Sequence, residues 1–201
     1  NSYASDDFYA ILKEGADIHF PSSVDSLEIA IGRIPAKTSA EADTLVNKII
    51  QYSLGNSKGS WQNQITWIAD DGDYNLHLQD AESIIKSIAS KNANWNHKKI
   101  YLDLYPATNT VGGLTYPLVV NEIAQNINNG SLILNYTGHG NYIRLTEEAV
   151  INNTSMQSWK NAGRLPLMIT ASCDFAPYDQ PQINPIGFRS EEHTSELQSH
   201  S

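Results

Sequence analysis

Short apolar runs alternate along the chain with longer stretches in which apolar residues recur at helical spacing. Most of these runs are continuous and one alternates, and both patterns are typical of β-strands. The predicted strands span residues 27–35, 65–69, 100–105, 132–136 and 167–171. The predicted helices span residues 38–52, 76–90 and 116–128, with a further helix within 146–162 that is broken near 152–153. Capping residues and a first-turn proline support these helix starts.

This alternation predicts the fold class. Strands separated by helices of this length imply right-handed crossovers and a mostly parallel sheet. Short, continuous apolar strands fit burial on both faces of such a sheet. We therefore expect an α/β fold, built as a three-layer α/β/α sandwich with a mostly parallel sheet.

Composition narrows the class of protein. The 201 residues fit one domain of ordinary size or part of a larger one, and 40% hydrophobic content argues against disorder. The formal net charge of −9 weighs against nucleic-acid binding. No apolar run approaches the roughly 20 residues of a membrane span. The chain begins at Asn1 without an initiator methionine, which predicts a fragment or a mature product.

Reactive side chains follow three of the predicted strands. These segments are Asp-Asp-Gly-Asp at 70–73, Thr-Gly-His-Gly at 137–140 and Ser-Cys-Asp at 172–174. In a parallel sheet the carboxyl ends of the strands lie on one edge, where ligands and reactive groups collect. We therefore expect His139, Cys173 and at least one of the aspartates to converge.

The chemistry of these side chains suggests a role for each. A thiolate at Cys173, the only cysteine of the chain, is a nucleophile, and His139 is the base beside it. A carboxylate on the other imidazole nitrogen would orient the ring. Asp71 is the best-placed candidate for that carboxylate, with Asp70 and Asp73 as alternatives.

Backbone groups complete the predicted site. The glycines beside His139 let the backbone approach a substrate, so the Gly140 and Cys173 N–H groups are the predicted oxyanion hole. Non-catalytic interpretations of these side chains also stay open at this point. A lone cysteine after an apolar strand is often a small buried hydrophobe, an acidic run is often a solvated turn, and His77 near a helix start fits a structural role.

Several motifs resemble a known family. The segments 135–140, 165–167 (Leu-Pro-Leu) and 171–175 (Ala-Ser-Cys-Asp-Phe) resemble the gingipain-type cysteine peptidases, family C25 of clan CD. The segments 2–9, 31–37 and 69–73 more closely resemble the PorU-like sortases of the type IX secretion system of Bacteroidetes. The resemblance runs in order through most of residues 1–188.

The resemblance implies a caspase-like fold and a cysteine-type endopeptidase that acts on protein substrates. It implies a dyad of His139 and Cys173, and it places Asp71, immediately before a glycine, at the position of the orienting carboxylate. The chemistry requires no cofactor. Calcium is a structural ion in some members, with ligands that cannot be assigned in this chain.

The PorU-like branch implies a more specific function. Its members remove the C-terminal sorting domain of secreted cargo and transfer the cargo to a surface lipopolysaccharide. The implied partners are that cargo and other type IX components. The implied location is the outer membrane, the cell surface or the secreted fraction of a Gram-negative bacterium of the Bacteroidetes type. A general secreted gingipain-like protease that cuts after Arg or Lys, and a non-catalytic caspase-like binding scaffold, are the alternatives.

The last residues call for a separate interpretation. Residues 189–201 show no periodicity, and they match a common sequencing-adapter oligonucleotide translated in one frame. The predicted domain organisation is a C25-type peptidase domain at 1–188, truncated at its C-terminus, followed by a non-native tail at 189–201.

Overall fold

The computed structural model describes residues 6–13, 28–55, 58–180 and 182–187. The strands are β1 (Gln64–Ala69), β2 (Asn96–Tyr101), β3 (Thr108–Thr110), β4 (Gly113–Thr115), β5 (Ile133–Thr137), β6 (Arg144–Leu145), β7 (Ile151–Asn152) and β8 (Leu167–Ala171). The α-helices are α1 (Ser39–Ser53), α2 (Leu76–Lys91), α3 (Pro117–Asn129) and α4 (Asn153–Gln157).

A four-stranded parallel sheet lies at the centre, with the strand order β2-β1-β5-β8. Every pair of neighbours in this sheet is parallel. Two small antiparallel pairs, β3-β4 and β6-β7, lie outside it. The predicted mostly parallel sheet is confirmed, and the carboxyl ends of its strands share one edge.

Helices cover both faces of the sheet. Successive side chains of β1 alternate between two apolar clusters, one on each face. Trp67, 2% exposed, packs in one cluster with Ile85 of α2. Ile68, fully buried, packs in the other with Ile123 of α3. Fully burying a side chain of this size contributes about 2 kcal/mol. The two clusters on opposite faces confirm the predicted three layers.

Helix ends follow the local signals in the sequence. The Thr38 hydroxyl accepts a hydrogen bond from the Glu41 N–H at 3.2 Å, and the Glu41 carboxylate accepts one from the Thr38 N–H at 3.2 Å. This capping box starts α1. Helix α3 starts at Pro117 and ends before Gly130, whose φ of 96° suits glycine.

The predicted strand at 27–35 is wrong over the part that the structure describes. Residues 28–36 form no strand, and residue 27 lies outside the described residues. An alternating pattern produces a strand only when one face is buried. Here Ile29, Ile31 and Ile34 are all at least 40% exposed.

Two further predictions differ from the structure. The helix predicted within 146–162 forms only as the short α4, which begins at the predicted break. The residues before it form a turn and β7, because Thr146 and Ala149 adopt φ of 64° and 57°, which a right-handed helix excludes. The strand predicted at 100–105 begins and ends earlier, at Asn96–Tyr101, and a single 3-10 turn, Leu102–Leu104, follows it.

The predicted tail at 189–201 lies outside the described residues, so its origin stays a prediction. Within the described segments, no helix has the length and apolar character needed to cross a membrane.

Candidate active site

Strand register places His139 and Cys173 at the same level of the sheet edge. Strands β5 and β8 are parallel neighbours, and their last pair joins Thr137 to Ala171. His139 and Cys173 each follow that pair by two residues. The two strands therefore bring residues 139 and 173 to neighbouring backbone positions at the sheet edge.

The two loops that carry these groups touch each other. The Gly138 N–H donates to the Ala171 carbonyl at 3.1 Å. A Cβ added to Gly140 would lie 2.5 Å from the Ser172 Oγ, so the two loops are in close contact there. Cys173 is a free, exposed thiol, which contradicts the alternative of a small buried hydrophobe.

Asp70 is a buried residue that is hydrogen-bonded to the backbone of His139. It is 3% exposed, and its Oδ2 accepts a hydrogen bond from the His139 N–H at 2.9 Å. The Tyr136 hydroxyl lies 3.3 Å from the same oxygen and donates to the His139 carbonyl. Burial raises the pKa of Asp70 to about 6, although the hydrogen bond from the His139 N–H opposes that rise.

Asp73, and not Asp71, contacts the imidazole of His139. The His139 Nε2 lies 2.7 Å from the Asp73 Oδ2. This hydrogen bond raises the pKa of His139 and lowers the pKa of Asp73. The Asp71 carboxylate instead accepts a hydrogen bond from the Tyr116 hydroxyl at 2.7 Å. The orienting position expected for Asp71 is therefore occupied by Asp73 in this structure.

A left-handed turn explains which carboxylate reaches the ring. Gly72 adopts a φ of 76°, and Asp73, Tyr74 and Asn75 follow with φ of 45°, 57° and 62°. Residues other than glycine in this region cost about 1 kcal/mol or more each, and such strain concentrates at functional sites. The turn folds the chain back after β1, which brings Asp73 to His139.

His77 is a member of the site that the sequence interpretation missed. It lies in the first turn of α2, with its Nε2 3.2 Å from the Asp73 Oδ2. Its ring meets the His139 ring edge-on, with centroids 5.2 Å apart. Helical spacing does not signal this pair, because Asp73 precedes α2 in the left-handed turn.

The backbone donors predicted for the oxyanion hole are available. Gly140 pairs with Leu145 in an isolated antiparallel bridge whose hydrogen bonds come from the neighbouring residues His139 and Asn141. Within the described part of the chain, neither the Gly140 N–H nor the Cys173 N–H has an acceptor. Both remain candidates for the oxyanion hole.

An acidic cluster adjoins the site, because it includes Asp70, the residue bonded to the His139 backbone. Carboxylate oxygens of Asp70, Asp71 and Glu148 lie within 4.8 Å of one another. The Glu148 Oε2 is buried and has no hydrogen-bond partner. An all-oxygen donor set of this kind is the type that calcium prefers.

Comparisons with known proteins place the chain in a family. The sequence model of Peptidase family C25 matches residues 1–194. The chain belongs to peptidase family C25. This confirms the expected family, which is a family of cysteine-type peptidases. No curated protein sequence matches the chain.

Two solved structures share the fold of this C25 chain. The crystal structure of the Arg-specific cysteine proteinase gingipain R (RgpB) is 17% identical, with a TM-score of 0.67 over 97% of this chain. The complex of the Porphyromonas gingivalis RgpB pro- and mature domains is 18% identical, with a TM-score of 0.61 over 86% of this chain. The chain spans 40% and 38% of the lengths of those two proteins. The gingipain-like, caspase-like fold is confirmed.

Proposed function

We propose that this chain is the catalytic part of a cysteine endopeptidase, with Cys173 as the nucleophile and His139 as the base. The observation that carries the proposal is the placement of both residues two positions beyond the last pair of β5 and β8. Packing of Gly140 against Ser172 supports it, because it fixes the two loops side by side.

The proposed reaction begins with proton transfer from the Cys173 thiol to His139. Asp73 accepts a hydrogen bond from Nε2, so that nitrogen keeps its proton and Nδ1 is the base. The sulfur then attacks the scissile carbonyl carbon. The oxyanion that forms accepts hydrogen bonds from the Gly140 and Cys173 N–H groups.

Collapse of this intermediate breaks the C–N bond, and the imidazolium of His139 returns its proton to the leaving amine. A thioester on Cys173 remains. Attack by water on the thioester gives hydrolysis, and attack by an amine acceptor gives transfer. Either step restores the thiol.

A cavity of about 430 Å³ is a candidate pocket for a substrate side chain. Its wall includes Phe175 and Ala176, which follow Cys173 closely, together with Trp159. The described lining residues include Arg33 and Lys48 but no Asp or Glu. Arg33 is paired with the Asp6 carboxylate, and most of the other lining residues are apolar, so the cavity suits an apolar side chain.

We extend the proposal to the PorU-like function, in which the enzyme removes the C-terminal sorting domain of type IX cargo and transfers the cargo to a surface acceptor. Its partners would be that cargo and other type IX components at the cell surface of a Bacteroidetes-type bacterium. The motifs at 31–37 and 69–73 support this choice.

Calcium, where it serves as a structural ion, would be held by Asp70, Asp71 and Glu148. Their oxygens fit that ion, and the unpartnered Glu148 Oε2 offers a ligand atom. A cation there would stabilise the ionised form of the buried Asp70.

The test uses full-length protein incubated with a sorting-domain fusion and, separately, with Arg and Lys peptides. We expect cleavage of the fusion by the parent and none by Cys173→Ala, with little cleavage of the peptides. Processing of the fusion by Cys173→Ala at the parental rate would refute the dyad. Preferential cleavage of the peptides would favour the gingipain-like alternative, and binding of the fusion without turnover would favour the scaffold.

A further inference from the structure

We propose that Asp73, His77 and His139 form a binding site for zinc, and that zinc bound there inhibits the enzyme by occupying its base. One ligand atom from each residue lies within 4.8 Å of the other two. Inhibition rests on the proposed function, whereas zinc binding does not.

The distances suit a small tetrahedral cation. Zinc held by nitrogen and oxygen at about 2.0–2.1 Å separates neighbouring ligand atoms by about 3.4 Å. The Asp73 Oδ2 already lies 3.2 Å from the His77 Nε2 and 2.7 Å from the His139 Nε2. Side-chain adjustments of less than about 1 Å would therefore open the site to the ion.

His77 is the strongest indication of a ligand. Its side chain is 13% exposed, and its buried Nε2 faces the Asp73 Oδ2 at 3.2 Å. A zinc ion between the two groups would replace this contact with two coordinate bonds, one from the carboxylate and one from the imidazole nitrogen. The first turn of α2 holds His77 in place, and the exposed side chains of Asp73 and His139 give the ion a route from solvent.

The donor set favours zinc over calcium or magnesium. Two imidazole nitrogens and one carboxylate are typical of zinc, whereas the hard cations take oxygen ligands. Three protein ligands also leave a fourth position open for water. The cluster of Asp70, Asp71 and Glu148 therefore suits calcium, whereas the cluster at His139 suits zinc.

Zinc bound to His139 would leave its imidazole unable to act as a base. A neutral imidazole has one protonated and one unprotonated nitrogen. With zinc on Nε2, the remaining ring proton lies on Nδ1, so no lone pair is left to accept the proton of the Cys173 thiol. Loss of zinc would restore the base.

The binding test uses full-length Cys173→Ala protein, because a thiolate is itself a zinc ligand. We titrate it with zinc chloride by isothermal calorimetry, alone and combined with His77→Asn. His97→Asn is the matched control, because His97 lies at the start of β2 and accepts a hydrogen bond from Trp67. We expect one zinc ion per chain, an affinity at least about 10-fold weaker with His77→Asn, and no change with His97→Asn.

Absence of binding to Cys173→Ala, or equal affinities in the two histidine variants, would overturn the site. A second titration measures cleavage of the sorting-domain fusion by proteins that keep Cys173, each relative to its own zinc-free rate. We expect the inhibitory zinc concentration to rise at least about 10-fold in His77→Asn and the inhibition to be reversed by EDTA. Zinc binding without inhibition would overturn the proposal that zinc at this site inhibits the enzyme. Absence of any cleavage by the zinc-free parent would count against the proposed function. The calorimetry would still decide whether zinc binds at Asp73, His77 and His139.

Discussion

Asp70 and Asp73 lie three residues apart in one loop, and they contact the same histidine in opposite ways. Asp70 is 3% exposed and holds the backbone N–H of His139. The Asp73 side chain is 49% exposed and contacts the imidazole. Burial raises the pKa of Asp70 to about 6, whereas the hydrogen bond from His139 lowers the pKa of Asp73.

The difference separates two requirements of a catalytic histidine. A buried contact fixes where the residue lies, and an exposed contact adjusts its protonation. Substitutions in the buried region should therefore change stability first, and substitutions in the exposed region should change the pKa of His139 first.

The largest expected effect comes from Gly138→Ala, which breaks the buried region. Gly138 has a φ of 154°, and a Cβ there would lie 2.3 Å from the Asp70 Cβ. We expect the free energy of unfolding, measured with urea, to fall by about 3 kcal/mol. Gly112→Ala is the control, because its nearest neighbour, the Thr110 Oγ1, lies at 3.8 Å. Equal losses in the two variants would contradict the close approach of Gly138 to Asp70.

Asp70→Asn tests the electrostatics of the buried region. The pKa of Asp70 is about 6 in the folded protein and about 3.9 in the unfolded chain, so the folded state binds its proton more tightly. Ionisation therefore lowers the stability of the parent as the pH rises from about 4 to about 6. Asparagine cannot ionise, so this loss is absent in the variant.

We expect the stability of the parent minus that of Asp70→Asn to fall by up to about 3 kcal/mol between pH 4 and pH 7. Urea unfolding of both proteins across this range gives the difference directly. The lost hydrogen bonds of the variant add an offset that does not depend on pH. A difference that stays constant with pH would mean that Asp70 is ionised at no cost in the folded protein.

Asp73→Asn tests the exposed region, where the expected change is smallest. Loss of the carboxylate should lower the pKa of His139, measured by NMR titration of its ring, and slow the cleavage of the sorting-domain fusion about 10-fold. Asp71→Asn is the matched control, because Asp71 contacts Tyr116 and not the ring. A larger change in Asp71→Asn than in Asp73→Asn would return the orienting role to Asp71.

The sequence was sufficient for the parts of the fold that depend on burial. Strands β1, β5 and β8 were predicted within one residue at each end, because apolar runs of that length have few alternatives. Their parallel arrangement followed from the helices between them. Convergence of His139, Cys173 and the aspartates on one edge followed from the parallel arrangement.

The rest depends on backbone conformations that leave little trace in sequence. The choice of Asp73 over Asp71 depends on left-handed conformations at Tyr74 and Asn75, and the shortening of the helix predicted within 146–162 depends on Thr146 and Ala149. Of these residues only Asn75 tolerates such a conformation readily. His77 was missed because its partner Asp73 precedes the helix.

The central claim, that His139 activates Cys173, is tested most directly by the alkylation rate of Cys173. Full-length parent and His139→Ala proteins are treated with iodoacetamide at neutral pH, and the label on the Cys173 peptide is quantified over time by mass spectrometry. We predict that Cys173 reacts at least about 10-fold faster in the parent, because His139 takes up the thiol proton. Equal rates in the two proteins would contradict the account.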